Sequence, residues 1–192
     1  MNRRRFTFAA GAALLAPGRV HPDAPDPARV ALRASGCALL MRHAATEPGI
    51  GDPPGYRLDT CSSQRNLSPA GREQARRAGA WLKQKDFVFD AVFSSRWCRC
   101  VDTAALMFPG QAVEVLEALN SFFEDGSARE RQTAALRSWF GTLDGSRRVA
   151  LVTHQVNILA LTGDDLAMGG AVVVQPDRHG GVRSVGRIDP GG

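Results

Sequence analysis

CALLMRHAAT, residues 37–46, is the stretch from which this 192-residue chain is best read. Its first five residues form an unbroken apolar run, the pattern of a strand covered on both faces. The run stops at Arg42-His43, and small residues then lead into TEPGIGDPPGY, a segment dense in turn formers. Titratable groups at the carboxyl end of a buried strand sit where open α/β sheets place their ligand crevice. Taken alone, an Arg-His pair more often marks only a strand's exit into solvent, so the other segments must carry the weight.

Working outward, residues 47–66 are a long loop rich in Gly and Pro, and loops of that length are usually functional or disordered. NLSPAGREQARRAGAWLKQK follows, with Ser68 as N-cap and Pro69 at the first helical position. Ala75, Ala78, Gly79 and Leu82 give that helix an apolar stripe to lay on a sheet. FVFDAVFS, 87–94, predicts a second strand, and SRWCRCVDTAALMF a helix that stops before Pro109 and is capped by Ser94 or Ser95. A third strand at 112–116 leads into EALNSFFEDG, and an amphipathic helix covers 128–140. VALVT, 149–153, is another buried strand and ends in His154, with a short helix at 157–161. AVVVQ and VRSVGRI predict a closing antiparallel pair around DRHGG. Strands alternating with helices predict an α/β fold, a mainly parallel sheet with helices on both faces in a three-layer sandwich. No internal repeat and no second domain is visible.

Composition sets further limits. Apolar content of 44% and charged content of 22% are ordinary for a globular protein with a real core. The net charge is +5, and Lys83 and Lys85 are the only lysines. Residues 1–28 hold Arg3, Arg4, Arg5 and Arg19 against Asp23 and Asp26, which leaves about +3 for the remainder, too weak a bias for nucleic acid. A concave site for a small anion is the better inference.

NRRRFTF places twin arginines ahead of Phe6, and residues 8–16 form a short Ala-rich apolar segment. A basic region before an apolar run too short to span a bilayer reads as a twin-arginine export signal. The expected location is therefore periplasmic or secreted, with no stable membrane insertion once the signal is removed. Residues 17–27, PGRVHPDAPDP, read as a Pro-rich linker, so 1–28 are set aside and 29–192 taken as the domain. In an oxidising compartment a bridge from Cys61 to Cys98 or Cys100 would pin the long loop to the following helix start. Cys37 reads as a small core residue, and Cys98-x-Cys100 is poor metal spacing.

Two distant strands thus each deliver a histidine at their carboxyl end, His43 and His154. Arg96 and Arg99, three apart, are expected on one face of the first turn of the intervening helix, where free backbone N–H groups add to an anion site. Planar guanidinium forks match phosphoryl oxygens better than a mobile ammonium does.

These segments resemble the histidine phosphatase superfamily, with its phosphoglycerate mutase-like fold. Arg42-His43-Ala44 stands at the Arg-His-Gly motif, and NLSPAGREQA resembles the helix opening after the motif loop. SSRWCRCVDTA resembles the Ser-x-x-x-Arg-x-x-x-Thr-Ala segment, and VTHQVNI the strand bearing the second histidine. The resemblance implies a phosphoric monoester hydrolase with His43 as nucleophile and a phosphohistidine intermediate. It implies that Arg42, Arg99 and His154 hold the phosphoryl oxygens and that no metal or other cofactor is required; Arg99, not Arg96, matches the family arginine, and Arg96 is added in support. His43 has to be unprotonated on the attacking nitrogen, while His154 is more useful as a cation.

Three departures matter. Ala44 replaces the motif glycine, which is mild if φ is negative there. Gln155 stands where one branch has an acid after the second histidine. Glu117 is the nearest match to the acid of the other branch, with Glu124 and Asp125 as alternatives. A small phosphorylated compound is the expected partner, and exported relatives acting on phosphorylated lipopolysaccharide core sugars are similar in SRWCRC and address. A non-catalytic phosphate or phospho-ligand binding module that lacks a general acid is the competing reading.

Overall fold

The computed structural model describes residues 26–177 and 181–190. The expected export signal and most of the DRHGG turn lie outside the described residues. The first strand, β1 (Cys37–Arg42), is buried through Met41, as its apolar run requires. The others are β2 (Ala91–Ser94), β3 (Val113–Val115), β4 (Arg148–Thr153), β5 (Ala171–Pro176) and β6 (Val182–Ile188). They form one sheet in the order β3-β2-β4-β1-β5-β6. The first four in that order are mutually parallel, and β5 and β6 close it antiparallel.

Among the described residues five helices cover the sheet: α1 (Pro27–Arg33), α2 (Pro69–Gln84), α3 (Cys98–Met107), α4 (Arg129–Gly141) and α5 (Gln155–Thr162). The alternation of side chains along each strand separates two cores. Cys37, Leu39 and Met41 of β1 pack with residues of α1, α2 and α3, whereas Ala38 and Leu40 pack with α4 and α5. Ala150 and Val152 of β4 follow the first set, Val149 and Leu151 the second. This is the three-layer arrangement anticipated from the sequence.

α1 corrects the domain boundary. The linker was expected to include Pro27, with the domain starting at 29. Instead Asp26 caps a helix, its carboxylate accepting from Ala28 N–H at 3.0 Å, and Pro27 takes the first position. Ala28 is fully buried. An Asp-Pro pair reads as linker composition, yet it is also a strong helix start.

α2 begins as expected, with Ser68 Oγ accepting from Gly71 N–H at 3.0 Å. Two of its glycines are contact surfaces. A Cβ on Gly71 would meet the Ala45 carbonyl oxygen at 1.7 Å, and one on Gly79 would meet the Met107 carbonyl oxygen at 2.2 Å. They let α2 press against the segment that follows His43 and against α3.

Candidate active site

β1 and β4 run parallel in a register that pairs Arg42 with Thr153. The next residue on each strand is a histidine, and His43 N–H donates to the Thr153 carbonyl at 3.0 Å. The two imidazoles therefore emerge side by side, edge to face, with ring centroids 5.5 Å apart. Both are 4% exposed. Both line a cavity of about 390 Å³ that Arg42, Arg65 and Arg99 also line.

Each ring is held by a specific contact. His43 Nδ1 lies 2.9 Å from the Ala44 carbonyl oxygen. A carbonyl only accepts, so Nδ1 carries the proton and Nε2 keeps its lone pair. His154 Nε2 lies 2.8 Å from Ser95 Oγ, which is also 3.3 Å from Asn120 Oδ1. The backbone around His43 is locked from the helix side: Ala44 N–H donates to Thr103 Oγ1 and Ala45 N–H to Gln74 Oε1. Ala44 is buried without a positive φ, so the glycine it replaces is not needed here.

The guanidiniums that line the cavity are anchored by specific acceptors. Arg42 donates from Nη1 to the Leu166 carbonyl at 2.7 Å. Arg99 pairs with Asp52 at 2.7 Å, with both side chains almost completely buried. Arg65 donates to Thr46 Oγ1 and to the Gly49 and Gly51 carbonyls. The Nε–H groups of Arg42 and Arg99 are buried without a hydrogen-bond partner among the described residues. Buried donors of that kind are costly unless a ligand accepts from them.

Burial and the neighbouring arginines act together on the histidines. Burial lowers the His43 pKa to about 3, assisted by the charges of Arg99, Arg42 and Arg65 against the opposing Ala44 hydrogen bond. Burial also pushes His154 well below its ordinary value, with His43 and the same three arginines adding to it. The expectation that His154 is the cation of the pair is thus corrected: both rings are driven toward neutrality. A phosphoryl dianion would oppose that push, since opposite charge favours the protonated ring.

Residues 38–123 match the family model described as histidine phosphatase superfamily (branch 1). Over those residues the chain resembles the histidine phosphatase superfamily. No curated protein matches the sequence. Among solved structures it is similar to the protein histidine phosphatase SixA complexed with tungstate, at 19% identity and a TM-score of 0.57 over 80% of this chain and 97% of that one. It is similar to phosphoserine phosphatase from Entamoeba histolytica in complex with 3-phosphoglyceric acid, at 18% identity and a TM-score of 0.58, covering 79% of this chain and 95% of that one. The alpha-ribazole phosphatase from Shigella flexneri is a third, at 15% identity and a TM-score of 0.59, covering 80% and 96%. At these identities the likeness speaks to the fold.

Arg42, His43, Arg99 and His154 meet in one cavity, and two expected residues stay outside it. Arg96 lies ahead of α3, which starts only at Cys98, so it does not share a helix face with Arg99. Its exposed side chain faces Glu117 at 3.6 Å, and its N–H donates to Asn120 Oδ1. Glu117 sits in a short 3-10 turn and is largely exposed. Neither lines the cavity; Glu124 and Asp125 do. The helix start differs as well. Ser95 turns to His154 rather than capping α3, and Cys98 N–H donates to Gln64 Oε1 at 3.0 Å, so that donor is not free for an anion.

Asp52 and Arg65 were not picked out from the sequence, and both come from the Gly- and Pro-rich loop. Asp52 accepts from Arg99, from Arg65 N–H and from Trp97 Nε1–H. Burial alone would raise its carboxyl pKa, but these bonds hold it below the ordinary value. A disulfide between Cys61 and Cys98, Cα atoms 5.7 Å apart, fixes the same loop to the first residue of α3. Cys37 and Cys100 are free and buried, and burial pushes the Cys100 thiol up to about 12.

Proposed function

We propose that the chain is a phosphomonoesterase that works without a metal, through a phosphohistidine on His43. The observation that carries this reading is the His43 Nδ1 contact with the Ala44 carbonyl, which leaves an unprotonated Nε2 among three guanidiniums. Arg42 and Arg99 donate guanidinium N–H groups to the phosphoryl oxygens, and Arg65 adds positive charge. The Nε2 lone pair attacks phosphorus in line while the bond from phosphorus to the ester oxygen breaks. That oxygen takes a proton from the Glu124 carboxyl, a role that passes to Glu124 because it lines the cavity where Glu117 does not. Water, deprotonated by the Glu124 carboxylate, then attacks the phosphohistidine, releasing phosphate and restoring His43.

Export belongs to the same proposal. Twin arginines ahead of a short apolar segment and the Cys61–Cys98 bridge both favour an oxidising compartment outside the cytoplasm. Hydrolysis of p-nitrophenyl phosphate in EDTA tests the enzyme. Turnover that disappears in His43→Ala is expected. Phosphate binding with no turnover of any phosphoester would point instead to a binding module, and turnover lost to chelator would contradict the mechanism.

A further inference from the structure

Away from the arginines, the cavity wall changes character. Ile50, Tyr56, Phe123, Val156 and Met168 line it together with the charged groups. Two of these are large apolar side chains left in solvent: Ile50 is 90% exposed and Phe123 is 56% exposed. Ile50 sits between Gly49 and Gly51, both at positive φ, in a turn that holds it away from the core. Phe122 is buried and anchors the opposite loop, leaving Phe123 outside.

The two loops meet across the mouth. Asp52 N–H points to Glu124 Oε1 at 3.5 Å, and a Cβ on Gly51 would touch a Phe123 ring carbon at 3.7 Å. Ile50 and Phe123 thus border one opening from distant parts of the chain. Asp125 adds a carboxylate to this part of the lining, beside the Glu124 carboxyl assigned to the leaving group. Arg42, Arg65 and Arg99 are the only lysine or arginine side chains lining the cavity among the described residues, and all three are assigned to the phosphoryl group.

We infer that the group esterified to phosphate is uncharged and apolar, alkyl or aryl, held between Ile50 and Phe123, and that Asp125 disfavours a substrate bearing a second anionic group. This rests on the phosphoryl-binding reading of the same cavity. Apolar side chains gain from covering only apolar surface, and a cavity with no spare cation offers a second anion nothing to pair with.

Alkylphosphonates test the inference by binding alone, because they share one head group and are not hydrolysed. Titration calorimetry on the wild type is expected to show hexylphosphonate binding at least about tenfold tighter than ethylphosphonate, each well-buried methylene being worth about fourfold. Ile50→Ser and Phe123→Ser, both at exposed positions, should each shrink that ratio at least about threefold. A phosphonate of hexyl length ending in a carboxylate should bind at least about tenfold more weakly than hexylphosphonate. Ratios within twofold, no binding of either alkylphosphonate, or a chain-length preference untouched by both substitutions would overturn the inference. Failure to turn over p-nitrophenyl phosphate while hexylphosphonate binding keeps its preference would instead remove the catalytic reading and leave this one standing.

Discussion

Asp52 and Arg99 stand 47 residues apart in sequence and meet as an ion pair of 2.7 Å, their side chains 4% and 5% exposed. The pair joins the loop after β1 to the first turn of α3. It holds in place the guanidinium that lines the cavity.

Asp52→Ala should therefore do two things. Removing one partner of a buried pair leaves an uncompensated charge, so stability should fall by about 3–5 kcal/mol. Substrate affinity should fall with it, because Arg99 loses its anchor. Urea unfolding and steady-state kinetics read the two effects separately. An unchanged unfolding midpoint would show that the pair holds nothing.

The disulfide makes a second prediction about the same loop. Cys61 and Cys98 are 37 residues apart, and a closed loop of that size restricts the unfolded chain by about 4 kcal/mol in the entropic account. Dithiothreitol, or Cys61→Ser with Cys98→Ser, should lower stability by about 2–4 kcal/mol. Phosphate affinity should weaken too, since Arg65 and Asp52 lie on the released segment. Equal unfolding curves with and without reductant would refute this.

The histidines give the pH dependence a definite sign. Both are driven below the ordinary histidine value in the folded protein, so between that value and their folded values the unfolded chain binds more protons. Stability is then fully present above pH about 6.5 and is lost as pH falls, by about 1.4 kcal/mol per pH unit for each such ring. For His43 the loss continues to about 3. Unfolding free energies at pH 7.5 and 5 should differ less in His43→Gln than in the wild type. An equal difference in both would count against a buried neutral His43.

Much of this site could be read in the sequence, and the reasons differ by residue. His43 and His154 were legible because each follows a buried apolar strand, and parallel strands in register must bring such positions together. Arg99 was legible because SSRWCRCVDTA resembles the histidine phosphatase segment whose arginine stands four residues before Thr-Ala. Arg96 misled because the helix was assumed to begin at Ser95, whereas Ser95 turns to His154 and the helix starts three residues later. Glu117 misled because a strand end near the site says nothing about which way its side chain points. Asp52 and Arg65 were invisible for a different reason. They sit in an irregular loop, where no periodicity fixes direction, and only the folded contacts with Arg99 and Thr46 give them a role. The loop's length and its glycines marked it as functional without saying which residues mattered.

The proton donor can be separated by leaving group. Glu124→Gln should lower kcat by about 10²–10⁴-fold on an alkyl phosphate and far less on p-nitrophenyl phosphate, whose leaving group needs no proton. Glu117→Gln, outside the cavity, should change kcat less than about twofold, as surface substitutions usually do. The opposite ranking would return the role to Glu117.

The covalent step can be observed directly by rapid acid-free quench of the wild type with ³²P-labelled substrate, followed by peptide mapping. The account predicts a phosphoryl group, stable to base and labile to acid, on the peptide carrying His43, and none in His43→Ala. Turnover without label on that peptide, or full activity in His43→Ala, would contradict it.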